Sequence, residues 1–115
     1  MTSSAIDLAR YAELQDTAGA DFVLELVDTF LQEAPGMLAE LRAARAAADA
    51  DRFRRAAHSL KSNSHTFGAL ALGALARELE LTGMSVDAAQ NAARLDALES
   101  EYAKAAAALK ELRHG

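Results

Sequence analysis

Asp51-Arg52-Phe53-Arg54-Arg55-Ala56-Ala57-His58-Ser59-Leu60-Lys61-Ser62-Asn63-Ser64-His65-Thr66-Phe67-Gly68 is the stretch that decides the fold. On an ideal helix, at about 100° per residue, Phe53, Ala57, Ser64 and Phe67 fall within roughly 60° of Leu60. That is a core-facing stripe with Phe53, Leu60 and Phe67 at heptad spacing. Asp49 or Asp51 can cap the start of this helix, and Gly68 is a plausible stop. The same wheel puts His58 about 160° from Leu60, facing water. Around it on the outer face lie Arg54, Arg55, Lys61, Ser62 and His65. Ser64 falls on the core side, which reads as packing or as a hydroxyl bonded to the backbone rather than as chemistry.

Outward from this helix, breakers divide the chain into further helical pieces. A short N-terminal helix is expected over about Ser4 to Leu14. Asp16-Thr17-Ala18-Gly19 then precedes an amphipathic run through Phe22, Leu26 and Phe30, with Val23 and Val27 in the same stripe. Pro35-Gly36 interrupts that run, and proline suits the first turn of a new helix, so a separate segment with Leu38 and Leu41 inward is expected. A fourth helix covers about Leu70 to Leu81 and ends near Gly83. Ser85 can cap a long last helix carrying Leu95, Leu98, Tyr102, Leu109 and Leu112. Gly73 and Ala76 are small enough to let the His58 helix approach closely. Leu70 and Leu81 lie apart from Leu72, Leu75 and Leu79 and read either as docking surface or, the favoured expectation, as the seat of a terminal helix. Short connections favour antiparallel neighbours. The expected fold is all-α: an antiparallel up-and-down four-helix bundle with an additional short N-terminal helix, one domain over residues 1–115 with its core at about 19–113.

Composition narrows the function classes. The chain has 115 residues and no cysteine, which removes disulfides and thiolate metal sites. A net charge of −5 argues against a nucleic-acid partner. There is no apolar run near 18 residues and no basic region followed by an apolar stretch at the start, so neither a membrane span nor a secretory signal is expected, and a cytoplasmic protein is. Met1 and the lack of linkers suggest a free-standing chain. His58 and His65 share a face, but two turns separate them by about 10 Å, which suits no single metal ion. No phosphate-cradling glycine loop is present, so no nucleotide site is expected.

The segment Ala57-His58-Ser59-Leu60-Lys61-Ser62-Asn63-Ser64-His65-Thr66-Phe67-Gly68-Ala69 resembles the signature of the histidine-containing phosphotransfer (HPt) family. His58, Leu60, Lys61, Ser64, Gly68 and Ala69 match it, and Ser62 stands where the family usually has glycine. The frame agrees from about Gly19 to the last helix, with Phe30-Leu31-Gln32-Glu33-Ala34-Pro35, Leu38, Leu41, Asp51 and Leu79-Glu80.

The resemblance implies a phosphohistidine carrier rather than an enzyme. It would accept a phosphoryl group from a receiver-domain aspartate or a sensor (hybrid) histidine kinase and pass it to a response-regulator receiver. His58 would be the acceptor through its outward nitrogen, Nε2, and Lys61, exposed one turn on, would neutralise charge. Arg54, Arg55, Ser62 and His65 would meet the partner. Ser64 and Gly68 would be structural. No cofactor is expected in the domain, and Mg²⁺ would come with the receiver.

If the turn after the His58 helix centres on Ala69, His58 and Glu80 are equidistant from it and reach the same level on antiparallel helices. Glu80 is therefore the candidate for holding the proton on Nδ1. The competing reading is a non-catalytic interaction module of the same fold.

Overall fold

The computed structural model describes residues 5–83 and 88–114. Five helices and no strand make up the described residues: α1 (Leu8–Ala18), α2 (Ala20–Ala46), α3 (Ala50–Thr66), α4 (Leu70–Thr82) and α5 (Ala88–His114). α3 packs on α2 and α4, α5 packs on α4 and α2, and α1 lies against α2. None of the helices is long and apolar enough to cross a membrane, among the described residues.

Three boundaries differ from expectation, two of them at the ends of α1, which runs past Leu14 through Asp16 and Thr17 to Ala18. α1 starts later than Ser4 because Asp7 caps it, its carboxylate accepting from the amides of Ala9 and Arg10. α2 runs unbroken through Pro35. A proline inside a helix loses the hydrogen bond to the residue four back and costs about 3 kcal/mol. Here one buried stripe continues on both sides of it, through Val23, Val27, Phe30 and Ala34 to Leu38, Leu41 and Ala44. Burial of a large apolar side chain contributes about 1.5–3 kcal/mol, so the stripe outweighs the break while Pro35 itself stays exposed. The same stripe corrects the reading of Phe22. It lies off the axis set by Val23 and Val27 and is 51% exposed.

The α3 stripe is fully buried: Phe53, Ala57, Leu60, Ser64 and Phe67 all lie in the core. Phe30 of α2 meets Phe67 at 5.4 Å between ring centroids and Tyr102 of α5 at 5.9 Å. Leu95, Leu98 and Leu109 complete the core from α5, with Tyr102 and Leu112 half-buried. Leu70 and Leu81 are exposed, Leu81 by 67%. No described helix covers them, so they do not form the expected seat. Ser85 lies outside the described residues. Ion pairs tie α5 and α3 to α2: Arg42 to Asp96 and Glu99, Arg113 to Asp28, and Arg52 to Glu40.

α2 and α3 end in the same hydrogen-bonded motif, with different residues at its left-handed position. After α3, the Ala69 amide donates to Ser64 O and the Gly68 amide to His65 O, with Gly68 at φ 79°. After α2, the Asp49 amide donates to Ala44 O and the Ala48 amide to Arg45 O, with Ala48 at φ 53°. A Cβ in that region costs about 1–2 kcal/mol. Ala48→Gly is therefore expected to stabilise the fold by roughly 0.5–1 kcal/mol after the entropy glycine loses, read as a higher denaturation midpoint. Unchanged or lower stability would show that Ala48 is not strained.

Candidate functional site

Asp49 starts α3, its side chain accepting from the Arg52 amide. The buried stripe then sets the helix rotation and turns His58 outward, leaving its side chain 57% exposed. The flanks of α3 meet different neighbours. Arg52, Arg55, Ala56 and Ser59 line a groove of about 420 Å³ with Glu33, Gly36, Met37 and Glu40 of α2. His58, Lys61 and His65 face α4.

On that α4 side, the His58 ring meets a carboxylate. Nδ1 lies 2.7 Å from Glu80 Oε2, and Lys61 Nζ lies 2.7 Å from the other oxygen, Oε1. The paired Lys61 ammonium is the largest influence holding the Glu80 carboxyl below its usual range; desolvation opposes it, and the His58 hydrogen bond adds to it. An ionised carboxylate only accepts. Nδ1 must then carry the proton, and the neutral ring keeps its lone pair on Nε2. An exposed imidazole held in one tautomer is a nucleophile of defined direction.

The other site candidates fall in different places. Lys61 is only 22% exposed and spends its charge on Glu80, so it is not the exposed cation expected. Arg54 is exposed and pairs with Asp51 on its own helix, and Arg55 lies by the α2 groove and acts electrostatically on Glu40. Ser62 is exposed, with its carbonyl accepting from Thr66 Oγ1. Ser64 is buried and its hydroxyl donates to Leu60 O at 2.6 Å. His65 does not stand out toward a partner: it is half-buried, with its ring where a Cβ on Gly73 would fall. The positive field expected over the face is thus mostly compensated by local carboxylates. Among the described residues no group of three His, Asp or Glu side chains is placed to hold a metal ion.

The profile of the Hpt domain matches residues 25–114. The chain belongs to the Hpt domain family. Membership gives this Hpt chain a phosphotransfer role in two-component signalling, in a family of carriers rather than kinases. It also resembles histidine-containing phosphotransfer protein B (HptB) from Pseudomonas aeruginosa PAO1, whose crystal structure it matches with a TM-score of 0.89 and 30% identity, over 98% of this chain and 97% of that one. Comparison with curated protein sequences gives no match.

Sequence reasoning missed the Lys61–Glu80 pair and the seat of His65. The second was within reach of the arithmetic that found Glu80. His65 and Gly73 are each four residues from Ala69, so the reflection that joins His58 to Glu80 also joins them. Gly73→Ala should drive the His65 ring out of its seat and destabilise the Hpt chain by about 1–3 kcal/mol. Adding His65→Ala should recover part of that loss, giving non-additive changes in a denaturation cycle. Strict additivity would show that Gly73 is small for another reason.

Proposed function

We propose that this Hpt chain is a phosphorelay intermediate that carries the phosphoryl group on His58 Nε2. The observation that carries the reading is the exposed His58 ring with Nδ1 held by an ionised Glu80. The Nε2 lone pair attacks the phosphorus of a receiver aspartyl phosphate. An N–P bond forms as the P–O bond to the aspartyl carboxylate breaks, and that carboxylate leaves with the bonding pair. The Nδ1 proton stays on the ring, hydrogen-bonded to Glu80. Transfer to the next receiver is the same exchange in reverse.

Such transfer depends on positioning and charge neutralisation more than on covalent chemistry from the protein. The receiver supplies the Mg²⁺ and its own acidic pocket, and this chain supplies a fixed nucleophile. Lys61, one turn from His58 on α3, is the cation that would offset charge on the phosphoryl group. Arg54, Arg55 and Ser62 form the surrounding partner-contact surface. Donors are receiver domains or a sensor histidine kinase, in the cytoplasm. No nucleotide is bound, and neither nucleic acid nor a membrane is a partner.

The scaffold for this chemistry is a single domain, with α2 to α5 as an antiparallel up-and-down bundle and α1 as an addition. Support comes from cross-helix pairs: His58 with Glu80, and Arg42 with Glu99 alongside Arg113 with Asp28.

Incubation with a radiolabelled phosphorylated receiver and Mg²⁺ tests the reading. The wild-type chain should take up acid-labile label, and His58→Ala should take up none. An unlabelled wild-type chain that still binds the receiver would instead mark a non-catalytic interaction module. Glu80→Ala should slow uptake about tenfold, the kinetic equivalent of roughly 1.4 kcal/mol for one charge-assisted hydrogen bond. An unchanged rate would remove Glu80 from the chemistry.

A further inference from the structure

Arg52, Arg54, Arg55 and Lys61 are the cations of α3, and carboxylates of this chain hold all but one of them. Arg52 donates two hydrogen bonds to Glu40, Arg54 meets Asp51 at 2.9 Å, and Lys61 meets Glu80 at 2.7 Å. Arg55 is exposed and takes part in no ion pair among the described residues. It lines the α2–α3 groove with Glu33 and Glu40. Glu40 feels Arg55 only through space, since both of its oxygens already accept from Arg52.

The helical wheel gives this asymmetry a direction. At about 100° per residue, Arg54 and Lys61 lie roughly 40° and 60° to one side of His58, and Arg55 lies roughly 60° to the other. On the first side each cation has a carboxylate. On the second, one turn before His58, the guanidinium is uncommitted.

That difference matters to an acidic partner. The chain carries a net charge of −5, so such a partner is repelled at long range. Close to the surface only charges within a Debye length act, about 10 Å at 0.1 M salt. Arg54 and Lys61 can pair with a partner carboxylate only by loosening the pair each already has. Arg55 breaks nothing, and its planar fork can take a carboxylate in two hydrogen bonds.

We propose that Arg55 is the electrostatic contact that orients an acidic receiver domain over His58, pairing with a receiver carboxylate on the α2 side of the ring. The inference rests on the reading of His58 as phosphoryl acceptor for a receiver. It singles out one residue of the contact surface and gives it a task in encounter, not in the transfer step.

Transfer from the radiolabelled phosphorylated receiver to the full chain, measured over a salt series, tests it. In low salt, Arg55→Gln should raise KM about fivefold while kcat falls less than twofold, and kcat/KM should vary less steeply with salt than in wild type. Arg55→Lys should recover most of the salt dependence, because it keeps the charge. Removing a matched pair, with Asp51→Asn and Arg54→Gln together, should raise KM clearly less than Arg55→Gln does. Far-UV circular dichroism and melting curves verify that each variant is folded.

A wild-type KM and salt slope in Arg55→Gln overturn the proposal. An equal loss in the Asp51→Asn, Arg54→Gln chain overturns it too, since paired and unpaired charge would then count alike. So does a fall in kcat with KM held, which would place Arg55 in the transfer step. A wild-type chain that takes up no label is a separate result, against His58 as acceptor. Affinity of the Arg55→Gln chain for the unphosphorylated receiver still reads Arg55 in that case.

Discussion

The close approach of α3 to α4 is the constraint on which the site depends. It is set by the turn through Phe67, Gly68 and Ala69, where Gly68 takes a left-handed conformation and two backbone hydrogen bonds close the end of α3. From the other side, the Asp7 amide donates to Gly68 O at 2.8 Å, and a Cβ on Gly68 would meet Asp7 O. The start of α1 thus rests on the turn that sets the register of the α3–α4 pair. With that register fixed, residues equidistant from Ala69 meet. His65 seats on Gly73, and His58 reaches Glu80. The geometry at His58 is inherited from a turn about three helical turns away.

Electrostatics around the ring is local rather than a broad field. The chain is acidic overall, and its α3 cations are compensated one by one: Arg52 by Glu40, Arg54 by Asp51, Lys61 by Glu80. Exposed pairs of this kind contribute little stability. Their effect is on which groups remain ionised and where they point. At Glu80, half-enclosed between two helices, the lysine offsets the desolvation of the carboxylate, and the carboxylate in turn fixes the imidazole. His58 keeps its exposure, so the nitrogen left unprotonated belongs to a ring that a partner can reach.

Much of this was legible in one chain. The stripe of Phe53, Ala57, Leu60, Ser64 and Phe67 needs only helical spacing to be read as core, and it leaves His58 outside by subtraction. Asp49, Gly68 and Gly83 lie where caps and stops belong, since their local preferences act within a few residues. Pro35 was misread because its local penalty was weighed without the apolar stripe that continues beyond it. Leu70 and Leu81 were misread because apolar character alone does not reveal whether another element arrives to cover it.

Helical period and capping chemistry are properties of neighbours along the chain, so the sequence by itself determined that the molecule is all-helical, which face of α3 is buried, and that His58 stands outside. A helical wheel has no handedness toward neighbouring helices. Only the count through Ala69 tied His58 to Glu80, and the wheel could not say that Lys61 lies on the α4 flank while Arg52 and Arg55 lie on the α2 flank. That division arises only when α2 and α4 pack against opposite flanks of α3. Tertiary packing alone decided that Lys61 spends its charge on Glu80, because that depends on a side chain distant in sequence arriving within contact distance.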